Sequence, residues 1–380
     1  MIELSLSQEQ EMLRAMARDF VNNECPKKLV RELEGTETGF SVDHWHKVAR
    51  LGWQGLVLPK KYGGAGASLL DLVMLLEETG HALLPSPYIP TMSSALMILY
   101  CGSDEQKSRM IPAVTGGELV MSPAITDTEF NWEPESVLTE AASHADYFIL
   151  NGTKLFVPLA KSADYFLCAA RSKTSGDTKA GISLFLVAKE TSGLILTSLN
   201  GYACDHFYEI RLENVKVPKT NLLGKLGGAW HVIRETLKPA AVMLCAELVG
   251  SSQAVVDMTV KYAKERRQFG QTIGSFQRVQ DRIINMVNDL DRSRLSTYEA
   301  AWRLSKGLDC DLEVSVAKLM TSQAYDRICL EAHHVFAGLG YMQDCDLHLY
   351  TKKAKMAQWY LGDAAFHRGI ISRRLGMVLA

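Results

Sequence analysis

Tyr147-Phe148-Ile149-Leu150-Asn151-Gly152-Thr153-Lys154-Leu155-Phe156-Val157 is the stretch that decides how this chain divides. Two runs rich in aromatic and aliphatic residues flank Asn151-Gly152. Both turn residues tolerate positive φ, so the sequence predicts a β-hairpin with its turn there. Further strands are expected downstream over 165–170, 182–188, 194–199 and 208–217. Together they predict a β domain over 119–225.

Upstream of that domain the pattern is helical. Ser7 and Gln10 are spaced as a capping box ahead of apolar Met12, Leu13, Met16, Phe20 and Val21. More helices are expected over 42–51, 69–82 and 103–114. Tyr62-Gly63-Gly64-Ala65-Gly66 reads as a loop and Gly116-Gly117 as a break. After Gly227 the 3.6-residue period returns, with long helices expected over 228–267, 277–306, 309–337 and 352–376. Short connections between them suggest an antiparallel bundle. The expected organisation is α+β multidomain: a helical domain 1–118, a barrel-like β domain 119–225 and a four-helix bundle 226–380.

Composition agrees with several domains. The 380 residues exceed the roughly 250–300 at which one hydrophobic core stops growing. With 47% hydrophobic and 22% charged residues, disorder and collagen-like structure are excluded. The net charge of −2, with no polybasic tail, argues against nucleic-acid or membrane-surface binding. No uninterrupted apolar run reaches the roughly 18 residues of a membrane span. The first residues lack the basic-then-apolar pattern of a secretory signal, so a cytoplasmic protein is expected. Cysteines 25, 101, 168, 204, 245, 310, 329 and 345 are scattered. They read as small buried hydrophobes in a reducing compartment rather than a disulfide framework.

Five local segments are more specific. Glu265-Arg266-Arg267-Gln268-Phe269-Gly270 closes a predicted helix, and Gln277 follows seven residues after Gly270. Next come Phe336-Ala337-Gly338-Leu339-Gly340-Tyr341 and Gln358-Trp359-Tyr360-Leu361-Gly362-Asp363. Tyr62-Gly63-Gly64 and Asn151-Gly152-x-Lys154 complete the set. In this order the chain resembles the acyl-CoA dehydrogenase family over essentially its whole length. The first of these looks like the family's Arg-x-x-Phe-Gly signature. The second resembles Phe-Gly-Gly-x-Gly-Tyr with its first Gly replaced. The third stands where the family has Tyr-Glu-Gly-Thr.

The resemblance implies a two-electron oxidation of an acyl-CoA thioester. A carboxylate removes the α-proton while the β-hydride passes to FAD, leaving a trans-enoyl-CoA. The family's Glu base, however, falls at Leu361, and the alternative base position on the first bundle helix falls at Ala240. The Arg that follows there in the family is Ala241. Neither side chain accepts a proton. Asp363 is a candidate substitute, but it stands where a Thr approaches the FAD phosphates, and a carboxylate is repelled there. It reads chiefly as a helix-capping acid. Glu247 lies roughly 10 Å along the helix from Ala240 at 1.5 Å per residue and reads as a structural or interface carboxylate.

The resemblance also implies an FAD shared across a subunit interface. The donated contacts would be Arg266, Gln268, Phe269, Gln277 and Gly338, with His334 at the position of a second donated Gln. The chain's own set begins at Ile125-Thr126-Asp127, with Thr126 the candidate contact. Its continuation, Thr128-Glu129-Phe130-Asn131-Trp132, is too bulky for backbone amides to approach a phosphate. Phe156-Val157-Pro158 replaces the family's Trp-x-Thr/Ser over the flavin. Plain structural readings exist as well. Arg266 complements a helix end, Gly338 and Gly340 form a C-cap and turn, and Trp359 and Tyr360 pack. His333 and His334 point about 100° apart on a helix and form no metal site.

The expected role is therefore the subunit lacking the catalytic Glu in a heteromeric acyl-CoA dehydrogenase. Its partners would be an acyl-CoA, a catalytic partner subunit and an electron-transfer flavoprotein. The alternatives are a homomeric FAD enzyme using a different base, and a scaffold subunit without catalysis.

Overall fold

The computed structural model describes residues 6–129, 131–172, 179–203 and 206–377. Phe130, Cys204 and the segment 1–5, all read above, lie outside them. One compact unit contains Met1–Arg31, Ser68–Leu84 and Ala241–Ala380; the other contains Glu32–Ala67 and Pro85–Ala240.

Six helices precede the strands: α1 (Gln8–Glu24), α2 (Lys27–Glu34), α3 (Val42–Arg50), α4 (Leu69–Ala82), α5 (Tyr88–Cys101) and α6 (Asp104–Thr115). Serines start α1, α4 and α6. Ser7, Ser68 and Ser103 each accept a backbone N–H from three residues on, and Gln10, Asp71 and Gln106 reach back to complete capping boxes. Sequence reading missed α2 and α5. The α5 segment is apolar all round and almost wholly buried, so it lacks the one-sided stripe that announces a surface helix.

Eight strands follow: β1 (Met121–Ala124), β2 (Glu140–Ser143), β3 (Tyr147–Pro158), β4 (Tyr165–Arg171), β5 (Ile182–Ala188), β6 (Leu194–Leu199), β7 (Phe207–Pro218) and β8 (Leu222–Leu223). They form one sheet in the order β6-β7-β3-β2-β4-β5-β8, with β1 parallel to β4. The predicted hairpin at Asn151-Gly152 does not form; β3 runs straight through it. The pairing of β3 with β7 shifts register between Leu150 and Gly152, which marks a bulge. Gly152 has φ +152°, and a Cβ there would lie 2.6 Å from the Thr139 hydroxyl oxygen. Asn151 Oδ1 accepts the Asn214 N–H at 2.8 Å across the same irregularity. Local turn propensity thus gave way to pairing along both edges of a twelve-residue strand.

Five helices close the chain: α7 (Ala229–Glu265), α8 (Gln277–Ser305), α9 (Asp311–Phe336), α10 (Leu347–Ala357) and α11 (Ala364–Arg374). The single helix predicted over 352–376 is in fact two. Leu361 at φ +59° and Gly362 at φ +100° break it, because left-handed residues cannot continue a right-handed helix. By length and composition α7 would suffice to cross a membrane, yet 83% of its apolar window is buried. It is a core helix. Within the first unit, α4 crosses the Glu247–Gly250 turn of α7 at close range. A Cβ on Gly80 would lie 2.1 Å from the Glu247 carbonyl oxygen, and one on Gly250 1.8 Å from that of Glu77.

Candidate functional site

The turn between α10 and α11 carries the position where a base is expected. Leu361 is buried and left-handed. Lys318 on α9, 1% exposed, holds the turn from beneath. Its ammonium donates to the carbonyls of Ala357 at 2.9 Å and Gly362 at 3.1 Å, and to Ser322 Oγ at 3.0 Å. Burial drives its pKa down to about 8, against the attraction of Cys245 and Asp363. From the other side His367 Nε2 donates to the Leu361 carbonyl at 3.1 Å. Burial, then the Lys318 charge, pulls the His367 pKa down to about 4, so the ring is neutral near pH 7. Asp363 caps α11: its Oδ1 accepts the Phe366 N–H at 2.8 Å.

The alternative base position, Ala240, holds no acid either. Ala240 and Ala241 are buried on α7. Glu247 is half-buried, and burial raises its pKa, with Lys353 opposing. Its backbone forms the α4–α7 crossing, in keeping with a structural role.

At the far end of α7 the chain turns sharply. Arg267–Gln268 and Gln271–Thr272 pair antiparallel around Phe269-Gly270. Both central residues have positive φ, +53° and +83°, as a two-residue hairpin turn requires. Phe269 is 90% exposed and lies edge-on to Phe276, with ring centroids 6.1 Å apart. Arg266, Gln268 and Gln277 are exposed beside it. A stack of Tyr262 on Phe336 at 4.4 Å draws the end of α9 to the same place. There His334 and Gly338 are exposed, while His333 turns inward to Thr351 Oγ1 at 2.9 Å. Six of the expected donated contacts are thus gathered at one end of the bundle. Among the described residues no group of three or more His, Cys, Asp and Glu side chains is arranged to hold a metal.

Thr126 belongs to the sheet-bearing unit. Its hydroxyl donates to the Leu155 carbonyl at 2.8 Å. Its neighbour Asp127 pairs with Lys154, both fully buried, and accepts the Leu138 and Thr139 N–H groups at 2.6 and 2.5 Å. Lys154 also donates to the Ile125 carbonyl at 3.1 Å. The Thr126 hydroxyl, the Lys154 ammonium and the Leu138 and Thr139 amides are therefore bound within the protein. Pro158 has no N–H to offer, and its carbonyl accepts from Ser122 Oγ at 2.7 Å. Phe156 is held at φ +55°. Around Thr126 the polar groups described are thus bonded within the protein, whereas the Phe269 hairpin is exposed. Sequence reading missed Lys318, His367 and the Asp127–Lys154 pair. A lysine inside the apolar run Val316-Ala317-Lys318-Leu319-Met320 was the available signal for the first; nothing comparable marked His367.

Comparisons with known proteins agree with this architecture. Models of the acyl-CoA dehydrogenase N-terminal, middle and C-terminal domains match residues 7–118, 122–215 and 227–376. The chain therefore belongs to the acyl-CoA dehydrogenase family of flavoprotein oxidoreductases, with a helical N-terminal region, a β middle domain and a helical C-terminal region. It is 31% identical over 376 residues to a 3-(aryl)acrylate reductase of Clostridium sporogenes, covering 97% of this chain and 99% of that one. It is 30% identical over 378 residues to an acyl-CoA dehydrogenase of Bacillus subtilis, covering 98% and 99%. Among solved structures, a Tcur3481-Tcur3483 steroid ACAD aligns with TM-score 0.87 at 26% identity, covering 98% and 99%.

Proposed function

We propose that this chain is the subunit without a base in a heteromeric acyl-CoA dehydrogenase that introduces an α,β double bond into an acyl-CoA. The partner carries the carboxylate. This chain lends Arg266, Gln268, Phe269, Gln277, His334 and Gly338 to a flavin bound mainly by that partner. Three sequence domains, 1–118, 119–225 and 226–380, organise it, and it works in the cytoplasm beside an electron-transfer flavoprotein.

The observation that carries this reading is the turn at Leu361. A buried aliphatic side chain stands at the family's base position, and the Ala357, Leu361 and Gly362 carbonyls around it are hydrogen-bonded. The exposed Phe269 hairpin supports the donated role, and the internally bonded Thr126–Asp127 segment supports the loss of the chain's own flavin cradle. A relative whose name joins two components, the Tcur3481-Tcur3483 steroid ACAD, adds to this support.

The test is purification alone and together with the family member encoded beside it. Flavin absorbance, mass and acyl-CoA oxidation are measured in each preparation. The expected result is a colourless lone chain and a yellow, active complex that loses flavin when Arg266→Ala is introduced here. Tight flavin and full turnover by the lone chain, abolished by Asp363→Ala, would establish a homomeric enzyme instead. A partner indifferent to Arg266→Ala would leave only a scaffold.

A further inference from the structure

The end of α9 holds a histidine whose two ring nitrogens meet opposite surroundings. His333 is 8% exposed. Its Nε2 lies 2.9 Å from Thr351 Oγ1 on α10. The Thr351 hydroxyl donates to the Leu347 carbonyl at 3.1 Å, so its oxygen takes the proton of Nε2. Nδ1 of the neutral ring is then the nitrogen without a proton, and it is buried without a partner. The backbone of Gly340 faces it. A Cβ at Gly340 would stand 2.8 Å from Nδ1, 3.2 Å from the Phe336 Cβ and 3.3 Å from Leu347 Cδ2. Tyr341 stacks on the ring with centroids 4.6 Å apart and is itself exposed.

The neutral ring fits these surroundings and the charged ring does not. A second proton would go to Nδ1, where no acceptor among the described residues reaches it. A buried donor left unmatched is costly. Burial holds the His333 pKa below the ordinary imidazole value, and His334 beside it and His348 on α10 push the same way. Stacking on Tyr341 favours a cation only weakly. The acids of the flanking elements do not help: Glu331 on α9 pairs with Arg282 of α8, Asp346 with Arg31 of α2, and Asp344 is exposed. The part that can yield is the turn Ala337–Tyr341. Ala337 is strained at φ +53°, ψ −138°, and Gly340 is the buried residue of the turn. Lifting the turn away would admit water to Nδ1.

We propose that His333 is a proton-operated latch: neutral, it holds the Ala337–Tyr341 turn against α10, and charged, it releases the turn. The consequence for function rests on the partner reading above. The turn carries Gly338 and adjoins His334, so acidification would withdraw two of the contacts lent to the partner's flavin.

The lone chain suffices for the test. Amide hydrogen exchange over Gly338–Met342 is followed from about pH 7.5 to about pH 5 and corrected for the intrinsic rate at each pH. In the open turn the ring regains its ordinary pKa of about 6.5, so opening should gain up to about thirtyfold over that range. His333→Gln keeps a donor for Thr351 and does not titrate; its corrected exchange should be flat. His367→Gln, which removes another buried histidine, should leave the wild-type response intact. In the wild type, NMR titration of the His333 ring should move the Tyr341 ring signals with the same midpoint. A flat wild-type profile, a response that survives in His333→Gln, or Tyr341 signals that ignore His333 overturns the latch. No flavin or partner enters this assay, so tight flavin and full turnover by the lone chain would sink the heteromer and leave the latch standing.

Discussion

Ala337 ends α9 at φ +53°, ψ −138°. L-residues seldom enter that region, because Cβ collides with the flanking carbonyl; glycine enters freely. Such a conformation costs a non-glycine residue about 1–3 kcal/mol. Ala337→Gly removes that strain but loosens the unfolded chain by about 0.4–1 kcal/mol. The difference is a net stabilisation of roughly 0–2.6 kcal/mol, about 1.3 kcal/mol at the mid-values. Ala337 is exposed, so the deleted methyl sacrifices little packing. The measurement is the urea midpoint, with the slope checked for constancy. Ala317→Gly inside α9, at a buried site, is the control and should destabilise by about 1 kcal/mol or more. The two substitutions are chemically identical and should have opposite signs. An Ala337→Gly midpoint equal to or below wild type would refute the strain argument. The same turn presents His334 and Gly338, so a more stable variant would also present them in a more settled geometry.

Other perturbations follow from the same physics. Lys154→Met strands the Asp127 carboxylate in a dry interior and should cost about 3–5 kcal/mol; adding Asp127→Asn should restore part of it, read by chemical denaturation. Gly80→Ala forces a methyl against the Glu247 carbonyl at the α4–α7 crossing; a loss of at least about 2 kcal/mol is expected, and an unchanged midpoint would mean the helices part easily. His367 is depressed to about 4 in the folded chain, so between about pH 6.5 and 4 the unfolded chain binds the extra proton. Stability should therefore be full above pH 6.5 and fall by up to roughly 3 kcal/mol as pH drops through that window. In His367→Gln the pH slope of the denaturation midpoint over that range should flatten.

The sequence exposed the blocks of structure better than their joints. Amphipathic α1 and the alternating strands carry one-sided patterns, so their periodicity speaks. Buried α5 has no polar face and stayed silent. Asn151-Gly152 failed as a hairpin for a different reason. The glycine is needed there, but the need comes from Thr139, the residue just before β2, a contact that no short window of sequence contains. The break at Leu361 was hidden because leucine is a helix former, and a left-handed leucine is visible only in the folded chain. For the site, the Arg266–Phe269–Gln277 set was picked out only through the family signature it resembles, and its residues lie exposed around one hairpin and the next helix start. The clamp joins Lys318 to a turn more than forty positions away; its lysine left only the trace of a charge in an apolar run, and His367 left none.

This clamp also bears on the proposed absence of a base at Leu361. Had the turn at Leu361 simply decayed, its hydrogen bonds would be expected to slacken with it, since a buried lysine costs several kcal/mol to maintain without partners. Instead Lys318 remains buried and fully bonded, and Leu361 is held in a backbone conformation that disfavours it. The strain is present although a leucine side chain cannot accept a proton. Such strain is retained when the shape of the turn still matters, and a turn that shapes a protein–protein contact needs its backbone more than its carboxylate. Asp363 likewise keeps the cap on α11, so the proposed partner role would use the backbone of this turn rather than a carboxylate at Leu361.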